Sequence, residues 1–555
     1  MKHSYKILII LLCFITSNFY SIKADAAHPV LERLSKRYFK KNKLKKLGKR
    51  AQNAANDIEL TEYSIKFQHD IIGMEPSWMI KEGHYTSHYF NLLSTLVVGE
   101  YDINPTNGYP RSGEAMNMHL TKKARDKNAK DNLNIIQSAD FNNSRINFLL
   151  HLTYTDDYGN NKAFYRGQLL GEAQVFNNLT DSLSSYFNTL HTEYKIEKER
   201  TGVFVQFDFG DKKNITAYID FLKRLHEQLD EDQKMYVVVP AKIKRKYAYT
   251  YDEINQIMEF ADKIVIDATN FDKFQRKKPV PPTNFSPKSE YSIFGTLKQY
   301  LIDPETANKL QHSKAGEYIR SNSIAERRER FVVMLPYYGI EYFIDEKKNA
   351  IRKVGPVTLE NFYNYEMGRS GNLKYSTEVF GKNDSIFAML TIPIEGTNQI
   401  RKFYVDDGFT LQNKYFYLKD TLGIDNVALN SISYYKTKDR IKPMWAVLAL
   451  TYGKEREKLG WIIASFLMGF IPIGFVFSIY RNWEVRNALA KYNNIFTRFC
   501  LFFVLFTFLF LTAANVVPRK TVALVIAVII LGAFFIYIVI KKVLMRSKKY
   551  VNIVK

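Results

Sequence analysis

The sequence predicts an α/β protein: a (β/α)8 TIM barrel with a small α+β insertion between strands seven and eight, followed by three transmembrane helices. Three observations carry this. Strand-like apolar runs recur from about residue 66, helically spaced segments separate them, and three long uncharged stretches close the chain.

The eight runs are DIIGMEPSW (70–78), STLVVGEYDI (94–103), NFLLHLTY (147–154), GVFVQFDFG (202–210), KMYVVVPAK (234–242), KIVIDATNF (263–271), FVVMLPYYG (331–339) and NVALNSISY (426–434). Helical spacing is clearest in ITAYIDFLKRLHEQL (215–229) and YDEINQIMEFA (251–261).

The ends of the chain read differently. Residues 1–26 have a basic start, a short apolar run and an Ala24-Asp25-Ala26 site, the pattern of a secretory signal peptide. That run is too short to span a bilayer. Residues 461–480, 499–517 and 521–540 carry no charge, and each is long enough to cross about 30 Å of hydrocarbon as a helix. The loop with Arg481, Arg486, Lys491 and Arg498 and the tail 541–555 are basic, which places both on the cytoplasmic side. Everything between the signal peptide and Trp461 is then expected outside the cytoplasm, on the periplasmic side of a bacterial inner membrane. The only cysteines are Cys13 and Cys500, so the exported part has no disulfide and no thiol nucleophile.

A net charge of +23 invites a nucleic-acid reading, but its distribution argues against one. Residues 32–50 hold ten Lys/Arg and one acid, within a basic arm at 27–65. The loop and tail hold ten more and one acid. The intervening barrel region, 66–452, is near neutral, so the charge belongs to membrane topology and to the arm, a solvated linker or a clamp on anionic lipid. No nucleic-acid partner, cofactor or metal is predicted.

Four stretches in order resemble the family 18 glycoside hydrolases, the chitinase-like enzymes. They are VGEYDINPTNG (98–108), GVFVQFDFG with its following helix, LPYYGIEY (335–342) and KFYVDDGFTLQNKYFYLKDTLGIDNVAL (402–429) with Asp406 and Asp407 in register. Met444–Trp445 falls where a final helix usually carries a Trp. The resemblance covers roughly 66–452 and implies an α+β insert, here about 343–404, walling a sugar cleft.

The resemblance also implies a catalytic fourth strand of pattern Asp-x-x-Asp-x-Asp-x-Glu. The final Glu is the proton donor, and the Asp two before it orients the substrate's acetamide, which acts as internal nucleophile. Here those positions hold Thr201, Phe204, Gln206 and Asp208. Asp208 is one methylene shorter than Glu, and a misplacement of about 1 Å costs on the order of 10²-fold in rate. Gln206 can hydrogen-bond an acetamide but brings no charge. The eighth-strand Trp position holds Asn430, or a neighbour. The sixth-strand Met-x-Tyr-Asp is replaced, with Asp267 at its start or Phe271–Asp272 at its end.

The candidate catalytic set is therefore Asp208 and Gln206, with Asp267 or Glu100 as a partner acid. Candidate substrate-binding residues are Tyr337, Tyr338, Trp78, Tyr101, Asp267 and Asn430. Phe207, Phe271, Tyr342 and Tyr404 are further aromatics expected at the barrel's carboxyl end. Such rings stack on sugars, although in a chain with 15% aromatic residues most rings pack a core. Three functions follow: a membrane-anchored, catalytically impaired domain binding N-acetylglucosamine-containing glycan or a protein partner; an active divergent glycosidase; or a membrane-complex subunit using the barrel as scaffold. Entry and exit of the barrel are expected at its bottom face, with the cleft pointing away from the membrane.

Overall fold

A computed structural model describes residues 63–455 apart from several internal stretches, of which 121–133, 358–371, 376–387 and 433–441 are the longest. The chain divides into two units, Met1–Glu455 and Arg456–Lys555, and all described residues belong to the first. The signal peptide, nearly all of the basic arm, the three apolar segments and the tail lie outside the described residues. Among the described residues no helix is long and apolar enough to cross a membrane.

Eight strands close into a parallel barrel, each falling on one of the eight predicted runs. They are β1 (Ile71–Glu75), β2 (Thr95–Asp102), β3 (Asn147–Thr155), β4 (Thr201–Asp208), β5 (Lys234–Pro240), β6 (Lys263–Asp267), β7 (Phe331–Pro336) and β8 (Val427–Asn430). β8 pairs with both β7 and β1, which closes the ring. Apolar residues alternate in two layers. Ile72, Met74, Val97, Leu149, Phe204, Tyr236, Val238, Val265, Val332, Met334 and Ala428 fill the barrel interior. The residues between them in sequence face outward and pack against the helices, as period-two side-chain alternation requires.

The helix Ile215–Gln228 follows β4 and buries Tyr218, Ile219, Phe221, Leu222 and Leu225 on one stripe. The helix Tyr251–Met258 follows β5 and starts at a capping box, Thr250 with Glu253. Residues Tyr63–Ile65 pair antiparallel with Gly453–Glu455, so the chain enters and leaves the barrel side by side. Asn91 Nδ2 donates to the Tyr63 carbonyl at 2.8 Å, just ahead of β2, which puts this pair at the barrel's bottom face.

The insertion differs from expectation. It begins at Gly339 rather than at 343, and its described part is a five-stranded antiparallel sheet with no helix. Its first strand, Gly339–Asp345, continues from β7 after a two-residue bend and pairs with Ala350–Val357 on one side and with Gln399–Val405, the middle strand of the five, on the other.

Candidate functional site

The upper layer of the barrel interior is polar where the lower layers are apolar. Above Leu149 on β3 comes His151, and above Phe204 on β4 come Gln206 and Asp208. Above Val265 on β6 comes Asp267. Phe204 is fully buried in the interior core, so the pattern's inner acid position is occupied by packing rather than chemistry.

Glu100 joins this layer because β2 is bulged. Val98 pairs with Leu150, yet Glu100 pairs with His151, so Gly99 is the extra residue. Gly99 takes φ +79°, which L side chains rarely adopt, and a Cβ there would lie 2.5 Å from the His119 ring. The bulge reverses the inside–outside phase of β2: Glu100 turns inward and Tyr101 outward. Gly99→Ala is expected to cost roughly 2–3 kcal/mol from the left-handed backbone and the collision with His119. Thermal unfolding of the full chain checks it; an unchanged midpoint would contradict the bulge.

The polar groups engage one another in pairs. His151 Nε2 lies 2.9 Å from Gln206 Oε1, and its ring crosses Phe204 edge-on at 5.7 Å. Burial holds the His151 imidazole below its usual pKa, opposed by the bond to Gln206 and the nearby Glu100 charge. Glu100 Oε2 accepts from Ser77 Oγ at 2.7 Å. The Tyr247 hydroxyl donates to Asp208 Oδ1 at 2.9 Å. Asp267 accepts from Thr269 N at 2.9 Å, Thr269 Oγ1 at 2.5 Å and Asn270 Nδ2 at 2.7 Å. Burial raises the Asp267 pKa and the Asp208 charge adds to it, while these three donors pull the other way.

Gln206, Asp208, Tyr247, Tyr249, Asp267 and Asn270 line a cavity of about 70 Å³, against roughly 300–1,000 Å³ for ordinary small-molecule sites. A buried clamp supports its β4 side. Arg166 pairs with Asp156, donates to the Phe209 carbonyl at 2.9 Å and the Lys213 carbonyl at 3.0 Å, and lies 4.9 Å over the Phe209 ring. Asp156 N in turn donates to the Asp208 carbonyl at 3.1 Å.

Several sequence-predicted positions fall elsewhere. Tyr101 is fully buried in the outer layer, its hydroxyl donating to the Gly108 carbonyl at 2.8 Å, so it is a packing residue and not a sugar platform. Tyr337 is 3% exposed and pairs its hydroxyl with that of Tyr415. Phe207 and Phe271 also pack outside the barrel, and Tyr342 stacks edge-on against Tyr404 in the insertion's own cluster. For Tyr101 and Phe207 the reason is strand phase: a position one residue out of phase with the interior faces the helices. Tyr338 is half-buried, and its hydroxyl reaches the Thr269 carbonyl at 3.3 Å, bridging β7 to the turn after β6. Asn430 ends β8, half-buried, and its carbonyl accepts from Tyr337 N at 2.5 Å. Trp78, Asp272 and Asp407 lie outside the described residues.

His151 and Tyr247 were not among the expected residues. His151 had a signal in NFLLHLTY, where it is the polar residue in phase with Leu149. Tyr247 sits in the loop after β5, where no periodicity marks it. Among the described residues no group of three or more His, Cys, Asp or Glu is placed to hold a metal ion.

No family model matches the chain, and no curated protein matches it. Solved structures similar to it include the spore cortex-lytic enzyme SleL of Bacillus megaterium, at 14% identity over 70% of this chain and 75% of that one, with a TM-score of 0.45. A chitinase from Chromobacterium violaceum shows 13% identity over 69% and 98%, with a TM-score of 0.46. A family 18 chitinase from Cycas revoluta, in complex with (GlcNAc)4, shows 11% identity over 68% and 98%, with a TM-score of 0.48. With every one of these TM-scores below 0.5, no function passes from them to this chain. The (β/α)8 barrel is read from this chain's own strand order.

Proposed function

We propose that this chain is a chitinase-like domain that binds N-acetylglucosamine-containing glycan without cleaving it. It is held outside the cytoplasm, on the periplasmic side of a membrane, by the three C-terminal apolar segments, with the tail inside. The observation that carries this is the state of the two working positions on β4. Gln206 is engaged by His151 and Asp208 by Tyr247, each at 2.9 Å. The Tyr247 hydroxyl donates to one Asp208 oxygen, so that oxygen serves as an acceptor and not as the carrier of a transferable proton. Gln206 supplies hydrogen bonds but no negative charge for a developing cation. The barrel's entry and exit, Tyr63–Ile65 and Gly453–Glu455, lie side by side at the face opposite its mouth.

The test uses the full purified chain with N-acetylglucosamine oligomers. Binding is expected, with no shorter product detected by mass over days, and Asp208→Asn should change affinity by less than about tenfold, the scale of one hydrogen bond.

A divergent glycosidase is the second reading. It is favoured by Asp267, whose raised pKa suits proton donation and which lines one cavity with Asp208. Product that disappears in both Asp208→Asn and Asp267→Asn would establish it and remove the binding-only reading.

A further inference from the structure

Gln206 is a carboxamide in a ring of acids, and its two ends are not equivalent. Its Oε1 lies 2.9 Å from His151 Nε2. A carbonyl oxygen only accepts, so this pairing requires the His151 proton on Nε2. The imidazole has little freedom to turn away, because it is wedged edge-on over the fully buried Phe204 ring. With Oε1 taken, the Nε2 amino group of Gln206 faces away from His151. Among the described residues that amino group has no hydrogen-bond partner, and Gln206 lines the cavity shared with Asp208 and Asp267.

We propose that His151 turns Gln206 so that its amino group faces the barrel mouth, making the site a receptor for a neutral hydrogen-bond acceptor. On the glycan reading, on which this rests, that acceptor is the carbonyl oxygen of a sugar's acetamide group. The polarity is opposite to that of a carboxylate at the same place, which takes the acetamide N–H. The surrounding acids narrow the ligand further. Asp208 and Asp267 line the same cavity and oppose a ligand carboxylate, so an uronic or other acidic sugar is disfavoured. His151 is a positioning residue: it acts on the ligand only through the amide it orients.

The experiment compares three tetrasaccharides on the full chain by calorimetry: the N-acetyl form, the N-thioacetyl form and the deacetylated form. Sulfur accepts hydrogen bonds weakly while the thioamide N–H donates well, so the thioacetyl form isolates the carbonyl. The N-acetyl form is expected to bind about tenfold tighter than the thioacetyl form. Gln206→Glu should reverse that order, and His151→Leu should shrink the difference to about twofold. The nitrogen-15 shifts of His151 in the native chain should report a proton on Nε2, a readout independent of whether either variant folds.

Equal or tighter binding of the thioacetyl form by native protein overturns the proposal and leaves the glycan reading intact. So does a proton on Nδ1. Tighter binding of the deacetylated form means that the acids, not Gln206, read the ligand, and also overturns it. Failure of a folded sample to bind any of the three removes the glycan reading, and the proposal falls with it.

Discussion

Lys414→Met is expected to destabilise the barrel by roughly 3–5 kcal/mol, the range for leaving one half of a buried ion pair uncompensated. Lys414 Nζ donates to both oxygens of Asp406, at 2.7 and 2.6 Å, and to Thr283 Oγ1 at 2.6 Å. Both charged side chains are 2% exposed or less, and the ammonium also lies 5.5 Å from the Phe285 ring. Removing the ammonium strands a carboxylate that water cannot reach. The pair has a location that matters. Asp406 follows the last strand of the insertion, Lys414 sits on the helix Gly408–Phe416, and Thr283 and Phe285 belong to the chain after β6. It therefore staples the insertion's exit to one side of the mouth, where Tyr342 adds a bond to the Val280 carbonyl at 3.1 Å. The combined Asp406→Leu, Lys414→Met variant should recover most of the lost stability, because an apolar pair of similar volume has no desolvation cost. Chemical unfolding of the single and double variants decides this; a double variant no more stable than the single would mean that the loss is one of shape rather than of charge.

Acid should weaken the same domain through His119. This side chain is fully buried, with Nε2 at 2.7 Å from the Tyr186 hydroxyl. Burial pushes its pKa from the ordinary 6.5 down to about 3. The sign follows from proton counting. Between pH 6.5 and about 3 the unfolded chain holds a proton on this imidazole and the folded chain does not. Falling pH therefore favours unfolding throughout that window, by about 1.4 kcal/mol for each unit. From pH 6.5 to 4.5 the loss from this group alone is roughly 2 kcal/mol, and well above pH 6.5 it vanishes. His119→Gln should flatten the dependence by that amount while other titrating groups keep theirs. Chemical unfolding of both proteins at the two pH values measures it, and parallel pH profiles would falsify the assignment.

His119 also shows how far the sequence could be read. Nothing in MNMHL marks that histidine as the residue packed under Gly99. The pairing exists because the bulge in β2 and the 3-10 turn at Met118–Leu120 meet from different parts of the chain. The same bulge put Glu100 in the mouth and took Tyr101 out of it. Sequence alternation alone, counted from Val97, has Tyr101 inside and Glu100 outside.

The sequence by itself determined the eight strands, their order and their parallel arrangement. Apolar runs bounded by polar helices are a local pattern, and burial on both faces leaves few other ways to hide them. It also placed Gln206 and Asp208 on the inward face of β4, since both are in phase with Phe204. Tertiary structure alone decided what those groups touch. His151 reaches Gln206 across 55 residues and Tyr247 reaches Asp208 across 39. Lys414 reaches Thr283 across 131. Which aromatics stack in the core and which face the mouth was settled there too, because one extra residue in a strand inverts every side chain after it. Hydrogen bonds between such distant side chains depend on where closed barrel strands and their loops converge, and no periodicity within a single segment encodes that.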